Sequence, residues 1–331
     1  MSLVEDPYSQ KIDSASGDYP LPSGAYYEAA NARAAQGADT DVSLASLAPD
    51  TKKPEERVPE IVKRGRIIVG VDQSLNLLSF RDSTTGELAG FEVSLAQEIA
   101  RDIFGNPNAV EFRYVGSTER IDALKNGTVD VVLRTMTVNS ERKAEVSFSA
   151  PYLTSRAGIL VVSSSTLGTS ETTSNELDHK RICVSRASTT EEMLRRIAPN
   201  STLLLVGSWS DCLVAIQNNQ AEVVVADDTI LAGINDQDPA TAIVERGLST
   251  EQYAAGVAKH NTGLVRQINA TLERLREDGT WQSLYDVWFS PFLPGGQQPF
   301  PEYIEEAPAA PTTPAPSETA PDAAIGQEGG H

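Results

Sequence analysis

Cysteine and histidine are scarce in this chain: its 331 residues include two of the first and three of the second. That rules out a zinc finger or ribbon, whose tetrahedral site needs four Cys or His ligands at short spacings. Cys183 and Cys212 are too far apart in sequence for a CxxC redox pair. His179, His260 and His331 lie in polar or terminal contexts with no nucleophile beside them, so no triad is legible. GxSxG, HExxH, Walker A and GxGxxG runs are all missing. Paired carboxylates such as Glu191–Glu192 sit in a helical stretch and read as solvated. Neither a metal nor a cofactor is expected. No apolar run approaches the roughly 18 residues of a spanning helix. Basic residues are outnumbered 27 to 46, for a formal net charge of −19. Such a surface repels nucleic acid and anionic membranes. It does not repel every anion, because a local pair of arginines outweighs distant charge under physiological screening.

Core-forming pattern is missing at both ends. Val4 to about Thr51 is rich in Ala, Ser, Asp, Gly and Tyr without a sustained apolar period. Glu305 to Glu328 is Pro, Ala, Thr and acidic residues, a composition that buries too little surface to offset chain entropy. Residues 1–56 are therefore expected to be a largely linker-like tether, and 305–331 a disordered Pro/Ala-rich tail. An acidic stretch ahead of a compact domain fits a tether whose N-terminal signal region was removed. The two cysteines read either as free buried thiols or as a disulfide. Placement favours the disulfide, with Cys183 on the strand RICVS and Cys212 at the start of a following helix; in an oxidising compartment it contributes roughly 3 kcal/mol.

Between the ends, strands and helices alternate. VPEIVKRG predicts a short helix closed by Gly65, and RIIVGVD from Arg66 a buried strand. FEVSLAQEIARDIF places Leu95, Ile99 and Ile103 in one row at helical spacing. VEFRYV predicts a strand, TERIDALKN a short helix capped by Ser117 and ended by Gly127, and VDVVLRTM the next strand. The alternation implies parallel βαβ units and an α/β class. IDALKNGTVDVV from Ile121 is echoed by LVAIQNNQAEVV from Leu213, and RIIVGVD by RICVSRAS, as two similar α/β lobes in tandem would produce. Late in the chain, Leu264, Ile268, Leu272 and Leu275 predict one helix, and Trp281, Leu284, Tyr285 and Trp288 a second whose aromatics are core.

Open α/β sheets bind ligands beyond the carboxyl ends of their strands. Four polar groups fall there: Thr135, Thr137 and Arg142 in RTMTVNSER; Ser117 and Arg120 in GSTER; Ser188 and Thr189 in SRASTTEE; and Asp227 or Asp228 in ADD. Each alone reads equally as a loop or a helix cap. Together they offer two cationic anchors, several hydroxyls and one carboxylate, which suits an α-amino acid with a polar side chain.

The residues IIVGVD, GELAGFEVSLAQEIA, RIDALKNGTVDVVLRTMTVNSERKAEVSFSAPY and NATLERLREDGTWQSLYDVWF, in that order from about Val58 to Pro291, resemble the extracellular solute-binding proteins for polar amino acids that serve ABC importers. GSTERIDAL, CVSRASTTEE and ADDTILAG resemble the glutamate type of actinobacteria in particular. The resemblance implies a two-lobed periplasmic-binding-protein fold of type II, with two crossover strands forming a hinge. Lobe 1 is then 57–160 plus 253–304, and lobe 2 is 161–252. It also implies that Arg142 clamps the α-carboxylate with Thr137 and Thr189 as donors, that Thr135 and Asp227 serve the amine, and that Ser117 and Arg120 hold a side-chain carboxylate. Two positions depart from the family pattern. Asp72 stands where enteric acid binders carry Arg and glutamine binders Asp, pointing to an amide or to orienting Arg120. Leu75 stands near where a ring often covers the ligand. The expectation is a monomeric, extracytoplasmic, lipid-anchored protein that binds Asp, Glu, Asn or Gln without a cofactor and delivers it to an ABC permease. Docking on a membrane sensor and a cyclic-acid dehydratase are the alternatives the same fold allows.

Overall fold

The computed structural model describes residues 19–34, 42–165 and 177–304. The expected C-terminal tail, 305–331, lies outside them, as do residues 1–18 of the expected tether.

The expected tether is not all linker. Strand β1 (Tyr26–Glu28) pairs antiparallel with a strand far along the chain, Tyr26 opposite Leu205. Strand β2 (Ser46–Leu47) and helices α1 (Pro54–Arg57) and α2 (Pro59–Arg64) follow. Tertiary contacts order this segment. Tyr27 Oη donates to the Gln220 carbonyl at 2.7 Å, Ser46 Oγ to the Phe148 carbonyl at 2.7 Å, and Arg57 Nε to Asp50 at 2.7 Å. None of these bonds has a periodic signature, so the sequence pattern does not show them. Gly65 closes α2 in the left-handed conformation, φ 76°, as expected.

The first lobe grows from β3 (Ile67–Val71), buried throughout. Three short strands, β4 (Ser74–Leu75), β5 (Ser79–Arg81) and β6 (Leu88–Ala89), lead into α3 (Phe91–Phe104), whose Leu95, Ile99 and Ile103 are buried. Then come β7 (Val110–Tyr114), α4 (Arg120–Lys125), β8 (Val131–Val132) and α5 (Ser140–Glu145). Ser117 does not cap α4. The N-cap is Glu119, and the Ser117 hydroxyl is used elsewhere. The long β9 (Val146–Val162) crosses to the second lobe.

There β10 (Arg181–Ser185), α6 (Thr189–Ile197), β11 (Thr202–Val206), α7 (Trp209–Gln217), β12 (Val223–Asp227) and α8 (Asp228–Gln237) repeat the alternation. The long β13 (Thr241–Ala258) returns to the first lobe, where α9 (Thr262–Glu277), α10 (Thr280–Trp288) and β14 (Tyr303–Ile304) finish the described chain. In α9 all four predicted leucine and isoleucine positions are buried; Trp281 and Tyr285 of α10 are core.

One sheet runs through both lobes in the order β1-β11-β10-β12-β9-β13-β8-β3-β7. Its middle is the antiparallel pair β9–β13, the two crossover strands. On either side the same three-strand unit recurs, first strand in the centre: β3 parallel to β7 and β8, β10 parallel to β11 and β12. The echo seen in sequence is this repetition. At its turn, Gly127 and Asn219 are both left-handed, φ 65° and 52°, and Thr128 and Gln220 donate to Ala123 and Ala215 at 2.9 and 2.8 Å. The Cys183–Cys212 disulfide forms, joining β10 to α7 with Cα atoms 5.5 Å apart.

Candidate functional site

The predicted site residues follow the carboxyl ends of the parallel strands: Ser117 and Arg120 come after β7, Thr135, Thr137 and Arg142 after β8, Ser188 and Thr189 after β10, and Asp227 ends β12. Ser117, Arg120, Thr135, Thr137 and Arg142 come from one side, and Ser188, Thr189 and Asp227 from the other. They line one small cavity together with Arg134, Thr190, Trp209 and Ile230. Eight of the nine sequence-predicted site residues therefore meet. Its free volume, about 10 Å³, is near the threshold of roughly 10–15 Å³ for a single water. A wider cleft of about 470 Å³ adjoins it, sharing Ser117, Arg120, Arg142, Ser188 and Thr189. Admitting an amino acid to the inner cavity therefore requires the lobes to part.

The two predicted cationic anchors converge. Arg120 Nη2 and Arg142 Nη2 both donate to the carbonyl of Ala187, each at 3.0 Å. That carbonyl belongs to the second lobe, while both arginines belong to the first. Arg142 Nη1 donates to the Thr137 carbonyl at 2.7 Å, and Arg120 Nε to that of Ser117 at 2.9 Å. Burial pulls the Arg120 guanidinium well below its usual pKa, and the neighbouring Arg142 and Arg134 add to the effect. Burial lowers Arg142 as well, against the carboxylates of Glu251, Glu141 and Asp227. Cations crowded in this way bind an anion favourably because it relieves both the desolvation and the mutual repulsion.

Asp227 ends β12 and precedes α8, but its side chain makes no cap. Oδ2 accepts from the Tyr253 hydroxyl, and Oδ1 is buried with no hydrogen-bond partner among the described residues. Burial, first, and then the charge of Glu251 push its carboxyl well above the ordinary range. A buried carboxylate oxygen without a donor favours a cationic one.

The remaining predicted residues are engaged within the protein. Ser117 Oγ lies 3.1 Å from Ser185 Oγ across the lobes and accepts from Arg134 Nη1 at 2.6 Å. Ser188 caps α6, accepting from Glu191 N at 3.1 Å. Thr189 Oγ1 donates to Glu251 Oε2 at 2.8 Å. Thr135 is held at φ 42°, unusual for a β-branched residue, by its amide's 2.7 Å bond to Glu92. Asp72 does not orient Arg120. It is fully buried, pairs with Arg134 Nη2, and accepts from the Ser74 and Gln73 amides at 2.8 Å. Leu75 packs into the core, away from the inner cavity.

Sequence reasoning missed four contributors. Arg134 interrupts the apolar run VDVVLRTM, which is itself a signal, since a buried arginine needs a partner. Trp209 follows the β11 strand end and was findable by the rule applied to the polar groups. Tyr253 and Glu92 carry no local mark. Tyr253 sits within a crossover strand, and Glu92 reads as an ordinary first-turn acid.

This architecture is known. The chain is 28% identical over 234 residues to the ABC transporter glutamine-binding protein GlnH of Bacillus subtilis (strain 168), covering 71% of this chain and 85% of that one. It is 26% identical over 231 residues to the glutamate-binding protein GluB of Corynebacterium efficiens, covering 67% and 78%. A solved structure described as an ancestral arginine-binding protein bound to glutamine superposes with a TM-score of 0.63 at 31% identity, covering 68% of this chain and 98% of that one. Two α/β lobes on a pair of crossover strands make this the type II periplasmic-binding-protein fold. Residues 67–291, with the whole inner cavity among them, match the bacterial extracellular solute-binding proteins, family 3, and the chain belongs to that family.

Proposed function

We propose that this protein captures a free α-amino acid with an acidic or amide side chain (Asp, Glu, Asn or Gln) and hands it to an ABC importer in the membrane. One observation carries the reading. Two buried guanidiniums, Arg120 and Arg142, converge on one carbonyl oxygen and line a cavity together with a buried carboxylate oxygen, Asp227 Oδ1, that has no donor among the described residues. A zwitterion presents the complement of that set: its α-carboxylate takes Arg142, with Thr137 beside it, and its ammonium takes Asp227 with Thr135. Ser117 and Arg120 remain for the side chain. Ser188 and Thr189, at the start of α6, face the carboxylate from the other lobe.

Charge ranks the candidates. Arg120, Arg134, Arg142 and Asp227 line the inner cavity, and Asp72 neutralises Arg134 from behind. Glu251 lies behind Thr189, off the lining. Two cations and one anion then face the ligand, a net positive charge that a dicarboxylic amino acid balances and an amide leaves uncompensated. The relatives named for glutamine and glutamate belong to the same ligand range. We read the protein as a binder and not an enzyme, because Asp227 is the one carboxyl lining the inner cavity among the described residues and Tyr253 engages it. We place the lobe limits at 57–160 plus 253–304 and 161–252, so that both crossings fall within the long strands β9 and β13. Closure then follows from a ligand that touches both lobes and so favours the closed state.

Isothermal titration of ligand-stripped protein with the twenty amino acids tests this. Saturable 1:1 binding of Asp or Glu, with Asn and Gln weaker, is expected. Tight binding confined to Lys, Arg or His sinks the assignment of Arg120 and Arg142.

A further inference from the structure

Strand β1 lies outside the family-matched span 67–291, yet its polar contacts lead into the cleft. Glu28, its last residue, is 9% exposed and receives the Arg195 guanidinium through both oxygens, from Nε at 2.9 Å and Nη2 at 3.1 Å. Arg195, on α6, also donates from Nη2 to Glu191 Oε1 at 2.5 Å, and pairs with Glu192 through Nη1. The second oxygen of Glu191 accepts the amide of Ala187 at 2.7 Å. The carbonyl of this same Ala187 sits between Arg120 and Arg142. An unbroken chain of charge-assisted bonds therefore links the N-terminal strand to the residue that opposes both anchors.

Ala187 makes the link consequential. Its φ is +56°, the left-handed region that a residue with a Cβ adopts only when its surroundings impose it. Two sets of bonds impose it: the arginines on its carbonyl and Glu191 on its amide. A ligand anion that takes the arginines displaces the first set. The Glu191 bond then remains to hold the loop, and Glu191 is itself aimed by Arg195, whose plane Glu28 fixes in a bidentate fork.

We propose that Glu28 is a positioning residue for ligand binding, acting through Arg195 and Glu191 to hold the Ala187 loop in its binding conformation. The segment that looks like a tether is thus part of the binding apparatus. The proposal rests on reading the cleft as the ligand site, and one of its two tests is independent of that reading.

The experiment uses the full chain and three variants: Glu28→Gln, Glu28→Asp and, as control, Tyr27→Phe. The control removes the 2.7 Å bond from Tyr27 to Gln220, which fastens the same strand without touching Arg195. Hydrogen exchange without ligand is read at residues 186–189, with α9 as the internal reference. Glu28→Gln is expected to speed exchange there about tenfold, the size of one lost charge-assisted bond, and to weaken glutamate binding by a similar factor. Glu28→Asp shifts both in the same direction by less, and Tyr27→Phe leaves both within twofold. The proposal is overturned if exchange at 186–189 is unchanged in both Glu28 variants. It is equally overturned if Tyr27→Phe matches Glu28→Gln, because the strand then acts by docking alone. A parent protein that binds no amino acid refutes the proposed function, while the exchange arm still decides the role of Glu28.

Discussion

Replacing Gly233 with alanine sets two effects of opposite sign against each other. Gly233 lies in α8 of the second lobe, against the turn that follows β4 in the first. A Cβ built there meets the Asn76 carbonyl oxygen at 2.4 Å and its carbon at 3.1 Å. A carbon–oxygen contact settles near 3.3 Å, so in the closed arrangement the lobes must separate locally by about 0.9 Å. That strains the bonds from Asn76 Nδ2 to Asp236 Oδ2 at 2.7 Å and to the Gly233 carbonyl at 3.4 Å. At about 1 kcal/mol each, their loss weakens closure by about 2 kcal/mol, or about thirtyfold in ligand affinity. With the lobes apart the clash is gone, and alanine strengthens the helix by up to about 1 kcal/mol. Titration calorimetry and thermal melting without ligand separate the two. Gly233→Ala should bind glutamate about thirtyfold more weakly, with an unliganded melting temperature no lower than the parent's. Binding within twofold of the parent would refute the closed contact as a determinant of affinity.

Three further outcomes are expected. Arg142→Ala removes the donor to Thr137 and Ala187 and leaves a buried α-carboxylate without its counter-charge, so affinity by calorimetry falls by about 3 kcal/mol or more. Asp227 gives pH dependences of opposite sign. Its raised pKa means that the folded protein holds a proton the unfolded chain releases above about pH 4. The Asp227 contribution to unliganded stability is thus largest below that pH and declines as pH rises toward the folded value, a slope to which buried Glu92 adds and which the carboxylates held low, such as Glu111 and Asp278, oppose at the acid end. Ammonium binding needs the carboxylate and strengthens over the same rise. Melting and titration across pH 4–8 should show both slopes in the parent, with Asp227→Asn flattening the second. Reducing or replacing the Cys183–Cys212 bridge, which closes a separation of 29 residues, should lower stability by about 3–4 kcal/mol on the loop-entropy model, measured by denaturant unfolding.

What was legible in the sequence was whatever repeats locally. β3, α3 and α9 announce themselves because each satisfies its own periodicity, and the echoed helix–turn–strand exposed the tandem lobes. The candidate site was legible to the same extent, since strand ends in parallel units are places that spacing can find. Arg134 was passed over as part of a strand, although a guanidinium inside an apolar run demands a carboxylate, and Asp72 is that carboxylate. Asp72 was accordingly read as favouring an amide or orienting Arg120, whereas the side chain it pairs with is Arg134. The Ala187 carbonyl had no sequence signal at all, because any residue carries one and its place is set by φ. β1 escaped for a different reason. It is three residues long, and what orders it is a partner strand most of the chain away.

That short strand also decides how the second lobe meets its surroundings during folding. β11 reads TLLLV, and four of its five residues are buried. Without β1 it is the outermost strand of its half of the sheet, with a row of backbone donors and acceptors open to any passing chain. Such an apolar edge, free of charge and proline, is the kind of segment that templates intermolecular pairing. β1 covers it with Tyr-Tyr-Glu, whose tyrosines stay largely exposed and whose carboxylate is locked inside. A version trimmed to the family-matched span keeps every residue of the inner cavity but uncovers this edge, so self-association would join the weaker binding expected from losing Glu28.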